Sequence, residues 1–155
     1  MKWGEDMKKK RIAVFDYNAS DCVHTADAVR EFYREQGAEA EVVEFMASVP
    51  FANDFKYNLD AGTPYNMAFI CVDNMRGLEM ARNIRELDSC LPMFFVSKGA
   101  DFSLEGFRLH ALDYLTRPVT PLRIGEAVRR IGGSGWPRHP EIYEMMGNQN
   151  TQFNR

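Results

Sequence analysis

Seven residues combine types and positions that could do chemistry: Asp16, Tyr17, Cys71, Asp73, Ser97, Lys98 and Arg117. Asp16 and Asp73 offer carboxylates, Cys71 a thiol, Ser97 a hydroxyl, and Lys98 and Arg117 positive charge. Each closes an apolar run (RIAVFD, MAFICV, MFFVS, LDYLT) or follows one closely. Cys71 admits three readings. As a buried small hydrophobe it needs no function, and that is the default. As a redox-responsive thiol it needs a lowered pKa, which a nearby Arg117 could supply. As a phosphocysteine nucleophile it would want a cradle of backbone N–H groups, and no glycine-rich loop follows it.

The elements that must position these groups are read from periodicity. Arg11–Asp16 is a compact apolar run ending at an acid, as a buried parallel strand often does. Val23, Ala26, Val29 and Phe32 recur at helical spacing, with Ser20 as candidate N-cap and Gly37 as the stop. Glu41–Met46 reads as a second strand. Residues 47–64 suggest a short helix packing Phe55 and Leu59, closed by Gly62 and Pro64. Met67–Val72 is short and apolar enough for a buried central strand, and Leu78, Ala81, Ile84 and Leu87 mark a helix after Gly77. Met93–Ser97 reads as a fourth strand, Ser103–His110 as a short helix and Leu112–Thr116 as a fifth strand. Thr120 caps the last helix, Pro121 opens it, and Ile124, Ala127, Val128 and Ile131 form its stripe before Gly132-Gly133. Five strands alternating with five helices imply βαβ crossovers and one parallel sheet covered on both faces. Ligand chemistry in such sheets collects at the carboxyl ends of the strands, near the topological switch point.

Composition sets the outer limits. The 155 residues suffice for one domain with a core and are too few for two comfortable ones. Nineteen Lys and Arg against 22 Asp and Glu give a net charge of −3, which argues against nucleic acid as the main partner. Hydrophobic residues at 45% and aromatics at 12% exclude wholesale disorder. No apolar run reaches the roughly 18 residues of a membrane span, and the basic start is followed by too short a run for a signal peptide. Three cysteines, at 22, 71 and 90, show neither metal spacing nor an even count, which fits a reducing, cytoplasmic setting. His24, His110 and His139 share no metal spacing. Residues 1–9 read as an N-terminal extension, 10–132 as the domain, and 133–155 as a flexible tail in which Ile142, Met145 and Met146 form a small docking patch.

Taken in order, IAVFDYN, YNMAFICVDN, GLEMARNIRELD, LPMFFVS and SLEGFRLHALDYLTRPVTPLRIGEAV resemble the receiver domain of bacterial two-component response regulators. LEGFRLHALDYLTRPV is most similar to receivers of LytTR-type regulators. The resemblance covers about residues 10–132 and implies a (βα)5 flavodoxin-like, doubly wound five-stranded parallel sheet in a single domain, with a role in signal transduction. In that family an acidic pair after the first strand holds Mg2+, and an Asp ending the third strand accepts a phosphoryl group. A Thr or Ser after the fourth strand and a Lys before a Pro after the fifth read out the phosphate. Phosphoryl transfer is mostly positioning and charge neutralisation, so it needs a carboxylate nucleophile beside a held metal and a fixed cation.

This chain departs from that pattern in three places. The acidic pair is Asp16-Tyr17, the acceptor position falls on Cys71, and the Lys-Pro step is Arg117-Pro118, while Asp16 and Ser97 remain. The loop DNMRG is about two residues short of the family pattern. Asp16 and Arg117 cancel, and an inward Asp73 would leave one net negative charge, so a divalent cation has little reason to enter. Asp73 lies two residues beyond Cys71 and is displaced by about 6–7 Å along an extended strand, too far for a transfer sensitive to ~1 Å. The plainer role for Asp73 is capping the next helix. Tyr17 is expected to fill the vacated metal space, its hydroxyl bonded to Asp16 or Arg117. Arg117 suits a fixed pairing with Asp16 or Asp73 better than a reach to one phosphate oxygen. Its bond to Pro118 is expected to be cis because the family's Lys-Pro step is.

Three functions follow from different classes. The leading expectation is a pseudo-receiver: no enzyme, no cofactor, acting in the cytoplasm through contacts with a signalling protein or a second copy of itself. In the family, output runs through the face of the fourth helix, fifth strand and fifth helix. That face would here present Phe102, Phe107, Arg108, Tyr114, Arg129 and Arg130, and it could equally carry a homodimer. The alternative is a phosphorylatable receiver in a phosphorelay, using Asp73 or a rearranged site with Mg2+. A flavodoxin-like nucleotide or flavin binder ranks below both, since no G-x-G-x-x-G follows the first strand. The family's LytTR-type members continue into a DNA-binding domain, which the residues before Arg155 do not begin. A stand-alone receiver is the expectation, and a trimmed transcriptional regulator the alternative.

Overall fold

The computed structural model describes residues 9–99 and 108–133. Along the chain these are β1 (Lys10–Phe15), α1 (Ala19–Glu35), β2 (Ala40–Phe45), α2 (Ser48–Asp60), β3 (Met67–Cys71), α3 (Met75–Leu87), β4 (Met93–Ser97), β5 (Asp113–Thr116) and α4 (Pro121–Gly133). The strands form one parallel sheet in the order β2-β1-β3-β4-β5. This is a flavodoxin-like α/β domain. The chain reverses its direction of growth between β1 and β3, so the crevice lies where Asp16 follows β1 and Cys71 ends β3. The helix expected at Ser103–His110 falls largely on residues outside the described set.

Alternation along each strand sorts side chains to two cores. Ile12 and Val14 of β1 join Phe69, Phe94 and Val96 on one face, under Val29 and Phe32 of α1 and Ile124 and Ala127 of α4. Ala13 and Phe15 join Ile70 and Phe95 on the other, under Phe51 and Phe55 of α2 and Leu78 and Ile84 of α3. Burial on both faces is why β3 and β4 read as unbroken apolar runs.

Three local readings are corrected. The N-cap of α1 is Asn18, whose side chain accepts from the Asp21 N–H at 2.9 Å; Ser20 lies inside the helix. Residues 48–60 form a thirteen-residue helix rather than a short one. Pro50 sits in its first turn, where a missing N–H costs nothing, and Phe51 stacks on Phe15 and Phe45 at centroid distances of 5.3 and 4.8 Å. Helix α3 starts at Met75, before Gly77 rather than after it. At the last helix, Thr120 Oγ1 accepts from the Arg123 N–H at 3.2 Å, as the Thr-Pro signal implies.

Candidate functional site

The short β3–α3 connection shapes the crevice. Val72 N–H still donates to Val96 O at 2.9 Å, and α3 begins three residues later. Such a tight passage requires Gly77: a Cβ there would stand 2.1 Å from the carbonyl oxygen of Cys71. Asn74 caps α3, its Oδ1 accepting from the Gly77 N–H at 3.0 Å.

With Asn74 as the cap, Asp73 is not one, contrary to the reading from sequence. Its carboxylate turns toward the ends of β4 and β5. Oδ1 accepts from Ser97 Oγ at 2.8 Å and from the Lys98 N–H at 2.9 Å. Oδ2 pairs with Arg117 Nη2 and accepts from the Cys71 thiol at 3.5 Å. Burial pushes the Asp73 carboxyl up, but hydrogen bonds from Arg117, Lys98 and Ser97 outweigh it and hold the group down to about 2. Lys98 contributes its amide, while its side chain is exposed.

Arg117 is the hub. Its side chain is only 9% exposed, and besides Asp73 it lies 3.4 Å from Asp21 Oδ2 and 3.8 Å from Asp16 Oδ2. Nη1 also donates to Cys71 Sγ at 3.6 Å. The expected pairing with Asp16 or Asp73 is realised chiefly with Asp73. Asp21, in the first turn of α1, is not among the residues the sequence singles out, and with Asp16 and Asp73 it makes three carboxylates around the guanidinium. Its signal is an acid five residues past Asp16 at a helix start, where acids also sit simply to meet the dipole. The Arg117–Pro118 bond is cis, as expected.

Asp16 is 4% exposed and takes the Asn18 N–H on Oδ1 at 2.9 Å. Burial raises its pKa, against that bond and the Arg117 charge. Cys71 is also buried, and loss of solvation together with the neighbouring acids pushes its thiol up to about 12 despite Arg117. Arg117 therefore does not make Cys71 a thiolate at neutral pH.

Tyr17 does not join this group. Its hydroxyl bonds Ser48 Oγ at the start of α2, and the Arg76 guanidinium stacks 4.6 Å over its ring. The side chain that reaches Asp16 is that of Arg117, not the phenol. Of the carboxylate oxygens here, Asp73 Oδ2 is taken by Arg117, while Asp16 and Asp21 stand farther from it; three carboxylates against one guanidinium leave more negative charge than the sequence reading counted. Among the described residues no group of three or more His, Cys, Asp or Glu is arranged to hold a metal. On that geometry the residues do not fit Mg2+.

On the face formed by β5 and α4, Tyr114 is half-buried against Phe95, at a centroid distance of 6.4 Å. Arg130 pairs with Asp113 at 2.9 Å alongside Arg123 at 2.8 Å. Arg129 and Arg108 are exposed. Phe102 and Phe107 lie outside the described residues.

No protein-family model matches the chain. The sensory transduction protein LytR of Staphylococcus saprophyticus is 26% identical over 95 residues, covering 57% of this chain and 37% of that relative, so the match spans little over a third of the relative's length. A CheY-like response regulator receiver domain from Methanospirillum hungatei superposes with a TM-score of 0.60 at 18% identity, covering 79% of this chain and 92% of that one. The response regulator DrrB of Thermotoga maritima, an OmpR/PhoB homologue, gives 0.59 at 21% identity over 82% of this chain and 54% of its own. The chain has the fold of response-regulator receiver domains, in accord with the resemblance read from its sequence. Among the described residues no helix is long and apolar enough to cross a membrane.

Proposed function

We propose that this chain is a pseudo-receiver of a cytoplasmic two-component signalling system, working through protein contacts without accepting a phosphoryl group. The observation that carries the reading is the engagement of Asp73. Both oxygens of this carboxylate are already committed to Ser97, the Lys98 N–H and Arg117. The strand end that would carry a carboxylate nucleophile carries Cys71, whose thiol is buried and protonated. An attacking Asp73 would have to leave its donors, and those same donors would then have to stabilise the charge of the transferring group. A signalling protein, or a second copy of this chain, is the partner class the fold supports.

The test is intact mass after incubation with acetyl phosphate and Mg2+. No mass gain is expected. A gain of one phosphoryl group that disappears in Asp73→Asn would instead establish the phosphorylatable receiver.

A further inference from the structure

We propose that the groove between α1 and α4 is a self-association surface, in which Leu122 of one copy enters the cavity of a second copy while Glu35 and Arg129 pair across the two. The proposal rests on the reading that this chain works through protein contacts, and it names both the surface and the partner.

The groove follows from a glycine. Gly125 lies inside α4, where glycine costs helix stability relative to alanine. It is needed there because α4 approaches α1 closely: a Cβ on Gly125 would stand 2.7 Å from a ring carbon of the buried Phe32. Beside this contact the two helices leave a cavity of about 270 Å³. It is lined by Phe32 and Glu35 of α1 and by Pro121, Leu122, Gly125 and Arg129 of α4. That volume is below the roughly 300–1,000 Å³ of small-molecule sites and suits the end of a side chain better than a cofactor.

The rim argues for a second copy as the occupant. Leu122 is 71% exposed, an apolar knob standing beside an open cavity. Glu35 ends α1 and Arg129 lies on α4, so opposite charges flank the cavity on its two walls. Both are exposed, and among the described residues neither side chain makes a hydrogen bond or an ion pair. The other side of α4 differs: Arg123 and Arg130 are committed to Asp113 at 2.8 and 2.9 Å. A patch that carries knob, hole and both charges is complementary to itself. About a twofold axis each contact occurs twice, Arg129 on Glu35 and Leu122 in the cavity. A different protein would not require both halves of each pair on one patch. Six residues are far fewer than the roughly 20–30 a side of a standard interface, so the association is weak.

The experiment is sedimentation equilibrium of the full chain from about 10 µM to about 1 mM. The wild type should pass from monomer to dimer within that range, and Leu122→Asp should stay monomeric. Glu35→Arg and Arg129→Glu, both at exposed positions, should each raise the midpoint concentration about tenfold or more, because like charges then face each other. An equimolar mixture of these two variants should recover the wild-type midpoint, and so should the double variant Glu35→Arg/Arg129→Glu. Recovery in the mixture is a result that a pair within one chain, or a purely structural role, does not give. A wild type that stays monomeric throughout would assign the groove to a different protein and overturn the proposal. Single variants with an unchanged midpoint, or a mixture that fails to recover, overturn it equally. Such a failure without phosphoryl uptake removes this surface alone, whereas phosphoryl uptake by the wild type removes the functional reading beneath it, whether or not the dimer forms.

Discussion

Ser97 Oγ donates to Asp73 Oδ1 at 2.8 Å, and that bond ties the end of β4 to the loop after β3. The Lys98 amide shares the same oxygen and Arg117 takes the other. At the switch point of the sheet, where a ligand would ordinarily be received, the chain bonds to itself.

The Asp73 network should appear in acid stability. Its carboxyl is held at about 2, below the ordinary 3.8, so the folded state binds fewer protons than the unfolded one as pH falls through that window. The stabilisation is present above the unfolded value and lost between 3.8 and about 2. It amounts to roughly 2 kcal/mol at neutral pH. Denaturant melts from pH 7 to 2 should show Asp73→Asn less stable at neutral pH and converging on the wild type in acid.

Asp16 should behave in the opposite sense. Burial raises its pKa, so its contribution is full below the unfolded value and is lost as pH rises through the folded one. Asp16→Asn keeps an acceptor for the Asn18 N–H and removes a buried charge. The variant should have a higher Tm than the wild type at pH 7, and the gain should vanish in acid.

Gly77 is the steric key of the short loop. An added Cβ would meet the Cys71 carbonyl oxygen at 2.1 Å, and that oxygen is backbone, so it cannot swing aside. Gly77→Ala should cost about 1–3 kcal/mol in urea denaturation. It should also weaken Asp73's hold on Ser97, seen as faster exchange at Lys98.

How far the sequence alone carries can be judged from particular residues. Strands β1, β3 and β4 are legible to within a residue because burial on both faces leaves an unbroken apolar run. Helix α4 is legible because Thr120-Pro121 states its own start. The inward turn of Asp73 is not legible, because Asn74 beside it has the same capping chemistry and only the loop length decides which residue turns inward. The place of Tyr17 is not legible, because its partner is Ser48, 31 residues away on a helix whose beginning has no side-chain cap. A pairing role for Arg117 is legible from its residue type, but that three carboxylates reach it from the end of β1, α1 and the β3–α3 loop is a fact of tertiary structure.

The cysteines give a chemical test of burial. The thiols of Cys71 and Cys22 are pushed up to about 12 and about 11, chiefly by loss of solvation, whereas Cys90 is half-buried. Iodoacetamide at pH 8 should label Cys90 first and leave Cys22 and Cys71 untouched until denaturant is added. Peptide mapping reads the order, and early labelling of Cys71 would restore the redox reading.

The most direct measurement is an amide NMR spectrum of the wild type titrated with Mg2+ and then with beryllofluoride, which imitates a bound phosphoryl group. Arg117 and Asp73 already satisfy each other, so the Ser97, Lys98 and Arg117 resonances should stay in place through both additions. New peaks for these residues that saturate with Mg2+ and beryllofluoride would show a working phosphoacceptor site and contradict the account.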